Sequence, residues 1–419
     1  MSRWKKLLRT GLKVAVAAGV SFLLLEGIFL AFPDFFFPDR FYVYDSELGF
    51  KVRPHARYGN ARANEFGFND RDYSRPAPEG VFRVLVLSDS FNWAGGPVDN
   101  CTNVLEEQLE KTYGQGRVEV IAAGYPMTHT AEQLALLKKF GLLYQPDLVV
   151  LGFYTGNDFF DGRPQRRRVA YGGTFVDYNT DQDFFFELWG RPVLFRSRFF
   201  SFLGEKYVLW RNQRSIQREQ EEAAKEKKDP KTAAEAPKGE QEKPAPVKPA
   251  RVKAAPAGRT EPGAPSASLP PSMARSAYLE LIHDQVQFAD RQRAAIFDPY
   301  VDYILGALEE MKSLLGQRDI PLVVVAYPAE WHIDESLRRE MLQRFELPDE
   351  RFEWTRAQRL LEEFCHRHGI DFHDLAAVFR QARREGRQLY LPADSHWNPE
   401  GNRLAAEQLF QIVSAYVEN

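Results

Sequence analysis

The stretch VLVLSDSFNWAGG, residues 84–96, decides how the chain is read. Four apolar residues, Val84 to Leu87, break abruptly into Ser88-Asp89-Ser90, and a pair of glycines follows. A short continuous apolar run is the pattern of a strand buried on both faces, as in a parallel sheet. Its ending on two hydroxyls and a carboxylate has two explanations. Either Ser90 and Asp89 cap a following helix, as those residue types favour, or a serine is held at the rim of a sheet to do chemistry.

The same alternation extends outward from this stretch. Strands are expected at 83–88, 118–122, 147–154 (DLVVLGFY), 321–327 (PLVVVAY) and 370–374 (IDFHD). Helices are expected at 102–112, over THTAEQLALLKKFG with Thr130 as N-cap and Gln133 completing a capping box, from Asp298-Pro299 to about Leu315, at 355–368, and from Asn398-Pro399 onward. Continuous apolar strands separated by amphipathic helices predict a three-layer α/β sandwich with a parallel five-stranded sheet.

Two segments fall outside that pattern. Arg3, Lys5, Lys6, Arg9 and Lys13 precede VAVAAGVSFLLLEGIFLAF, residues 14–32, whose one charge is Glu26. At helical rise this run spans about 28 Å, close to the hydrocarbon thickness of a bilayer. No small-residue cleavage site follows it, so it is expected to be an uncleaved transmembrane anchor. The basic residues 1–13 then stay in the cytosol, and the rest of the chain lies extracytoplasmic, periplasmic in a Gram-negative cell. Glu26 is costly in lipid unless it meets a partner, which marks a possible membrane partner there.

The second segment, 212–273, is rich in Pro, Ala, Lys and Glu; it has ten prolines from Pro230 to Pro271 and no aromatic residue from 223 to 272. It is expected to be a disordered insertion, because it cannot bury enough apolar surface to offset its ordering entropy. The expected organisation is therefore a tail (1–13), an anchor (14–32), an extension (33–80), and an α/β domain in two parts, 81–211 and 274–419. With a net charge of −3 and no basic stripe, no nucleic-acid partner is expected. The two cysteines, Cys101 and Cys365, are read as free buried thiols, although one bridge outside the cytosol is open to them.

In open α/β sheets, sites gather at the carboxyl ends of strands. Here those ends carry Ser88-Asp89-Ser90, then AAGYP with Gly124, then TGNDFF with Asn157; DSHWNPEGN, with Asp394 and His396, precedes the last helix. These residue types suit acyl transfer. A serine attacks, a histidine takes its proton, a carboxylate orients the histidine, and a glycine N–H with an asparagine amide stabilises the oxyanion. CHRHGIDFHD, 365–374, has metal-binding residue types, but side chains two apart on a helix do not converge, so no metal and no cofactor is expected.

RVLVLSDSF, VEVIAAGYP, DLVVLGFYTGND and DSHWNPEG, taken in order with NEFGFNDRDYSRP (64–76) before them, resemble the blocks of the SGNH (GDSL-type) hydrolases. The resemblance implies Ser90 as nucleophile, His396 as base and Asp394 as its partner. Ser90, Gly124 and Asn157 would form the oxyanion hole. Two residues depart from the family pattern: Ser88 stands where glycine is usual, and Ala122 where asparagine is frequent. DSHW also resembles the Asp-x-His-Trp run of alginate O-acetyltransferases. The implied activity is that of a serine esterase on oxygen esters, such as O-acetyl groups of a carbohydrate. An O-acetyltransferase of envelope or exopolysaccharide, and a non-catalytic polysaccharide-binding or assembly protein, are the alternatives. Trp93, Trp331, His332 and Trp397 are candidates to hold an acyl chain or a sugar, with ordinary packing as the competing reading.

Overall fold

A computed structural model describes residues 3–36, 40–58, 61–171, 174–183, 185–188, 191–194, 197–226 and 271–418. The chain forms two compact units, one from residues 57–164 with 212–419 and one from 1–56 with 165–211. Residues 165–211, expected within the α/β domain, fall in the smaller unit.

The larger unit is built on five strands, β1 (Phe82–Ser88), β2 (Val118–Gly124), β3 (Leu148–Tyr154), β4 (Leu322–Tyr327) and β5 (Asp371–Asp374). They pair in the order β5-β4-β3-β1-β2, all parallel. Alternate side chains point to opposite faces of a strand. Val84, Val86, Val118, Val120, Leu148, Val150, Val323 and Val325 share one core with Leu105 and Leu109 of the Cys101–Tyr113 helix and Leu404 and Leu409 of the Pro399–Val417 helix. Leu85, Leu87, Ile121, Val149, Leu151 and Val324, between them, are equally buried. The opposite face is therefore covered too, by the Thr130–Lys139 helix among others, whose Leu137 lies beside Leu85 around Gly141. Burial on both faces is why the central stretches Val84–Leu87, Leu148–Leu151 and Leu322–Val325 are apolar. Cys101 and Cys365 are free and buried.

Some boundaries differ from the sequence reading. The Thr130–Lys139 helix has His129, not Thr130, at its N-cap; the His129 N–H donates to Glu132 Oε2 at 3.0 Å, and Gln133 is buried instead of capping. The next long helix, Ala294–Gly316, begins ahead of Asp298-Pro299 and takes Pro299 into its second turn. That proline leaves the Ala295 carbonyl without an i+4 donor. The expected disordered insertion is helical at its start: residues 212–226, rich in Gln, Glu, Arg and Ala, continue the Arg198–Glu226 helix, as their helix propensity favours. Its stretch 227–270 lies outside the described residues.

The smaller unit contains the Arg3–Ala31 helix, which is long and apolar enough over Arg9–Ala31 to cross a membrane. It also holds two antiparallel ribbons, Arg166–Tyr171 with Thr174–Asn179 and Phe185–Leu188 with Arg191–Leu194, which share a small core of Val169, Tyr171, Val176 and Leu194. The Glu26 carboxylate accepts hydrogen bonds from the Ser197 hydroxyl and from the N–H groups of Arg198 (2.8 Å) and Phe199 (3.1 Å), at the start of the Arg198–Glu226 helix.

Candidate active site

The chain leaves β1 toward β2 on one side and returns to β3 on the other, so the carboxyl ends of β1 and β3 flank a topological switch point, where α/β sheets open a crevice. Ser90 sits there, on a single 3-10 turn, Ser90–Asn92, directly after β1. The turn is fastened by polar side chains. Asp89 Oδ1 accepts from the Phe91 N–H (3.0 Å), Asn92 Nδ2 donates to the Val86 carbonyl (2.9 Å), and Asn100 Nδ2 donates to the Phe91 carbonyl (2.8 Å). Ser88, the departure from glycine, is buried and donates its hydroxyl to the Gly152 carbonyl of β3 at 3.0 Å. Its side chain thus has a place in the sheet and leaves the Ser90 turn intact. The other departure, Ala122, donates its N–H to Asp70 Oδ2 at 2.8 Å.

His396 comes from the far end of the chain, on the loop before the Pro399–Val417 helix. Its Nε2 lies 2.7 Å from Ser90 Oγ, and its Nδ1 lies 2.6 Å from Asp394 Oδ1. Asp394 Oδ1 also accepts the His396 N–H at 3.0 Å, so one carboxylate fixes both the loop and the ring. With Nδ1–H donating to Asp394, Nε2 is left to accept from the serine hydroxyl. The loop is held from both sides. Asn398 caps the helix through the N–H groups of Glu400 and Gly401, both at 2.9 Å, while Trp397 packs edge-on against Phe91 at 4.7 Å. His396 keeps 29% of its side chain exposed, which leaves Ser90 an approach from solvent.

Burial works against a charged imidazole, but the hydrogen bond and charge of Asp394, with the nearby Asp89, outweigh it and raise the His396 pKa above 6.5. Burial likewise opposes the Asp394 carboxylate, and the bond and charge of His396 overcome it, so the Asp394 pKa falls. Asp89 is pushed up to about 6, chiefly by burial. Burial also raises Asp158 well above the ordinary carboxylate range, with the Asp89 charge adding to it.

Gly124 ends β2 in register with Ser88 of β1. A Cβ there would overlap the Ser88 carbonyl oxygen and press on Asn92 Nδ2, so this position has room only for glycine. Asn157 follows β3, and its Nδ2 donates to Asp161 Oδ2 at 3.1 Å, which leaves the second amide proton for another acceptor. Ser90, Gly124 and Asn157 thus stand at the carboxyl ends of β1, β2 and β3, which are neighbours in the sheet.

Of the two readings open for the aromatic candidates, burial supports packing. Trp397 is 0% exposed and packs on Phe91, Tyr327 and Phe379, so it supports the loop from inside and offers no face to a ligand. Trp93 is buried and donates Nε1–H to the Gly124 carbonyl at 3.0 Å, which ties the end of β2 to the Ser90 turn. Trp331 is buried against His332 and Trp354. His332 is held by the Ala329 N–H at 3.0 Å, and burial drives its pKa down to about 3, so it is neutral. Burial of these rings, which single residues in a sequence do not reveal, favours packing over substrate contact.

Sequence reasoning missed Tyr278 and Glu330. The Tyr278 hydroxyl lies 2.6 Å from Glu330 Oε2 and 3.2 Å from the Asp394 carbonyl, bracing the loop that carries Asp394. Neither residue sits in a motif, and no signal in the sequence links positions 278, 330 and 394.

Residues 299–418 match the family model described as an SGNH hydrolase-like domain, acetyltransferase AlgX. That match contains Asp394 and His396; Ser90, Gly124 and Asn157 lie before it. No curated protein matches the sequence. Among solved structures, an acetyl xylan esterase, AlAXEase, is similar with a TM-score of 0.37 and 12% identity, over 79% of this chain and 100% of that one.

Proposed function

We propose, from the premise that the chain carries an SGNH hydrolase-like domain, that it transfers acyl groups from oxygen esters through an acyl-Ser90 intermediate. The observation that carries this reading is the continuous line from Ser90 Oγ through His396 to Asp394, with both links at 2.7 Å or less. Ser90 Oγ attacks the ester carbonyl carbon as its proton passes to His396 Nε2. Donors at Gly124, Asn157 and the Ser90 N–H take the oxyanion. The carbonyl re-forms, the C–O bond to the leaving alcohol breaks, and that oxygen takes the proton from His396. A second hydroxyl then attacks the acyl-enzyme and gives its proton to His396; the bond from the acyl carbon to Ser90 Oγ breaks, and Oγ takes that proton back from His396.

If water is the second hydroxyl, the protein is an esterase, and O-acetyl groups on a carbohydrate are the substrate proposed. The match to the domain of an acetyltransferase favours a second reading, in which a glycan hydroxyl is the acceptor. The Arg3–Ala31 helix supports anchoring of the chain in a membrane, and the basic residues ahead of the apolar run support a site on the extracytoplasmic side. The test is acetyl release from a chromogenic acetyl ester, with and without added polysaccharide. Turnover that Ser90→Ala abolishes supports the ester chemistry, and acetate diverted onto glycan identifies transfer. Undiminished turnover by Ser90→Ala would refute the assignment.

A further inference from the structure

We propose that the first turns of the Arg198–Glu226 helix lie in the membrane interface beside the anchor, with Phe200, Leu203, Tyr207 and Trp210 facing lipid. The proposal rests on the reading of Arg9–Ala31 as a membrane span. Its starting point is Glu26. This residue lies about 8 Å along the helix from its end at Ala31, within the apolar span. A carboxylate at that depth needs hydrogen-bond donors that lipid does not provide. Here the donors are the Ser197 hydroxyl and the first N–H groups of the second helix, at Arg198 and Phe199. Those N–H groups have no partner within their own helix, and their end of the helix carries partial positive charge. The contact therefore satisfies both parties. It also fixes depth, because whatever binds the Glu26 carboxylate must come to it.

Packing around the contact agrees. Phe22, Glu26 and Phe29 follow one face of the anchor, at spacings of four and three residues. Phe22 meets Phe200 at 5.8 Å between ring centroids, and Phe29 meets Phe199 at 6.0 Å and Phe202 at 5.8 Å. The Arg198 side chain donates to the Pro192 carbonyl at 2.6 Å and covers the Tyr171 ring at 4.1 Å.

Beyond that seam the second helix presents a stripe. Phe200, Leu203, Tyr207 and Trp210 recur at i, i+3, i+7 and i+10, on one helical face. Phe200 is 62% exposed and Tyr207 58%, with Leu203 and Trp210 also in the open. Lys206 and Arg211 are exposed near the stripe. Aromatic and aliphatic residues on one face with basic residues at its margin are the composition of a helix lying at the headgroup boundary. Phe200 of the stripe adjoins Phe22 of the anchor, whose neighbours Leu23 and Leu24 are likewise exposed. Lipid is thus the occupant that covers both surfaces.

The experiment uses the full chain, with Cys101→Ala and Cys365→Ala, in vesicles of phosphatidylethanolamine and phosphatidylglycerol. Single nitroxide labels are placed through Leu203→Cys, Tyr207→Cys, Leu23→Cys and Leu143→Cys, the last on the α/β unit as an aqueous reference. Collision with oxygen reports lipid, and collision with a water-soluble nickel chelate reports solvent. The proposal predicts an oxygen-to-nickel ratio at 203 and 207 several-fold above that at 143 and approaching that at 23. Labels at 203 and 207 that behave like 143, while 23 reports lipid, would overturn the proposal and leave the anchor standing. Labels at 203 and 207 screened from both reagents would overturn it in favour of a protein partner. Solvent-like behaviour at 23 would remove the anchor and the proposal together.

Discussion

Asp394 Oδ1 meets both the ring and the backbone N–H of His396, so its removal should act on geometry and charge together. Asp394→Asn is expected to lower kcat by roughly three to four orders of magnitude while the protein stays folded. The pH dependence follows from the sign of the His396 shift. Only neutral His396 can take the serine proton, and its pKa is raised above 6.5. The kcat/KM for ester hydrolysis should therefore be full above that raised pKa and fall about tenfold per pH unit below it. Since Asp394 supplies the main upward influences, Asp394→Asn should move this acid limb to lower pH; a limb that stays in place would assign it to another group. Trp397 carries a different expectation. It is fully buried among Phe91, Tyr327 and Phe379, so Trp397→Ala should cost about 3–5 kcal/mol in urea unfolding. Loss of affinity without loss of stability would restore it as a ligand contact.

At the scale of elements, the sheet was legible because the middle of each central strand is buried on both faces by apolar residues. Val84–Leu87, Val149–Leu151 and Val323–Val325 announce themselves, and the motif that follows each strand falls at the sheet's carboxyl edge. Ser90, Asp394 and His396, from the first and last of the motifs, stand within hydrogen-bond distance, but the Tyr278–Glu330 brace joins three distant segments and left no trace. The ribbons over 166–194 went unread because their charged and aromatic residues do not alternate cleanly. Pro299 misled for a specific reason: it mimics the proline of a first helical turn, whereas the helix had already begun at Ala294. Thr130 misled similarly, since His129 takes the capping position that a threonine usually holds. The start of the Arg198–Glu226 helix yields a prediction of its own. Glu26→Ala removes the acceptor of its first N–H groups, a loss of about 1 kcal/mol, and should raise hydrogen exchange at Arg198 and Phe199 about fivefold. Unchanged exchange would mean that Glu26 does not hold that helix end.

On the scale of the whole molecule, every proposed catalytic residue belongs to the larger unit, and the apolar helix belongs to the smaller one. Basic residues cluster ahead of the apolar run, which predicts a cytosolic tail and a site on the other side of the membrane. In intact cells, an impermeant maleimide should label Leu143→Cys and leave Lys5→Cys untouched until the membrane is opened; the reverse pattern would invert the topology. Whether the chain is an enzyme turns on Ser90. The deciding measurement is intact-mass analysis of the purified full chain after a fluorophosphonate. A single adduct on Ser90, absent from Ser90→Ala and slowed in His396→Ala, is the predicted result. A folded protein that takes no adduct, or takes it equally well without His396, would contradict an activated serine and bring the non-catalytic carbohydrate-binding reading to the front.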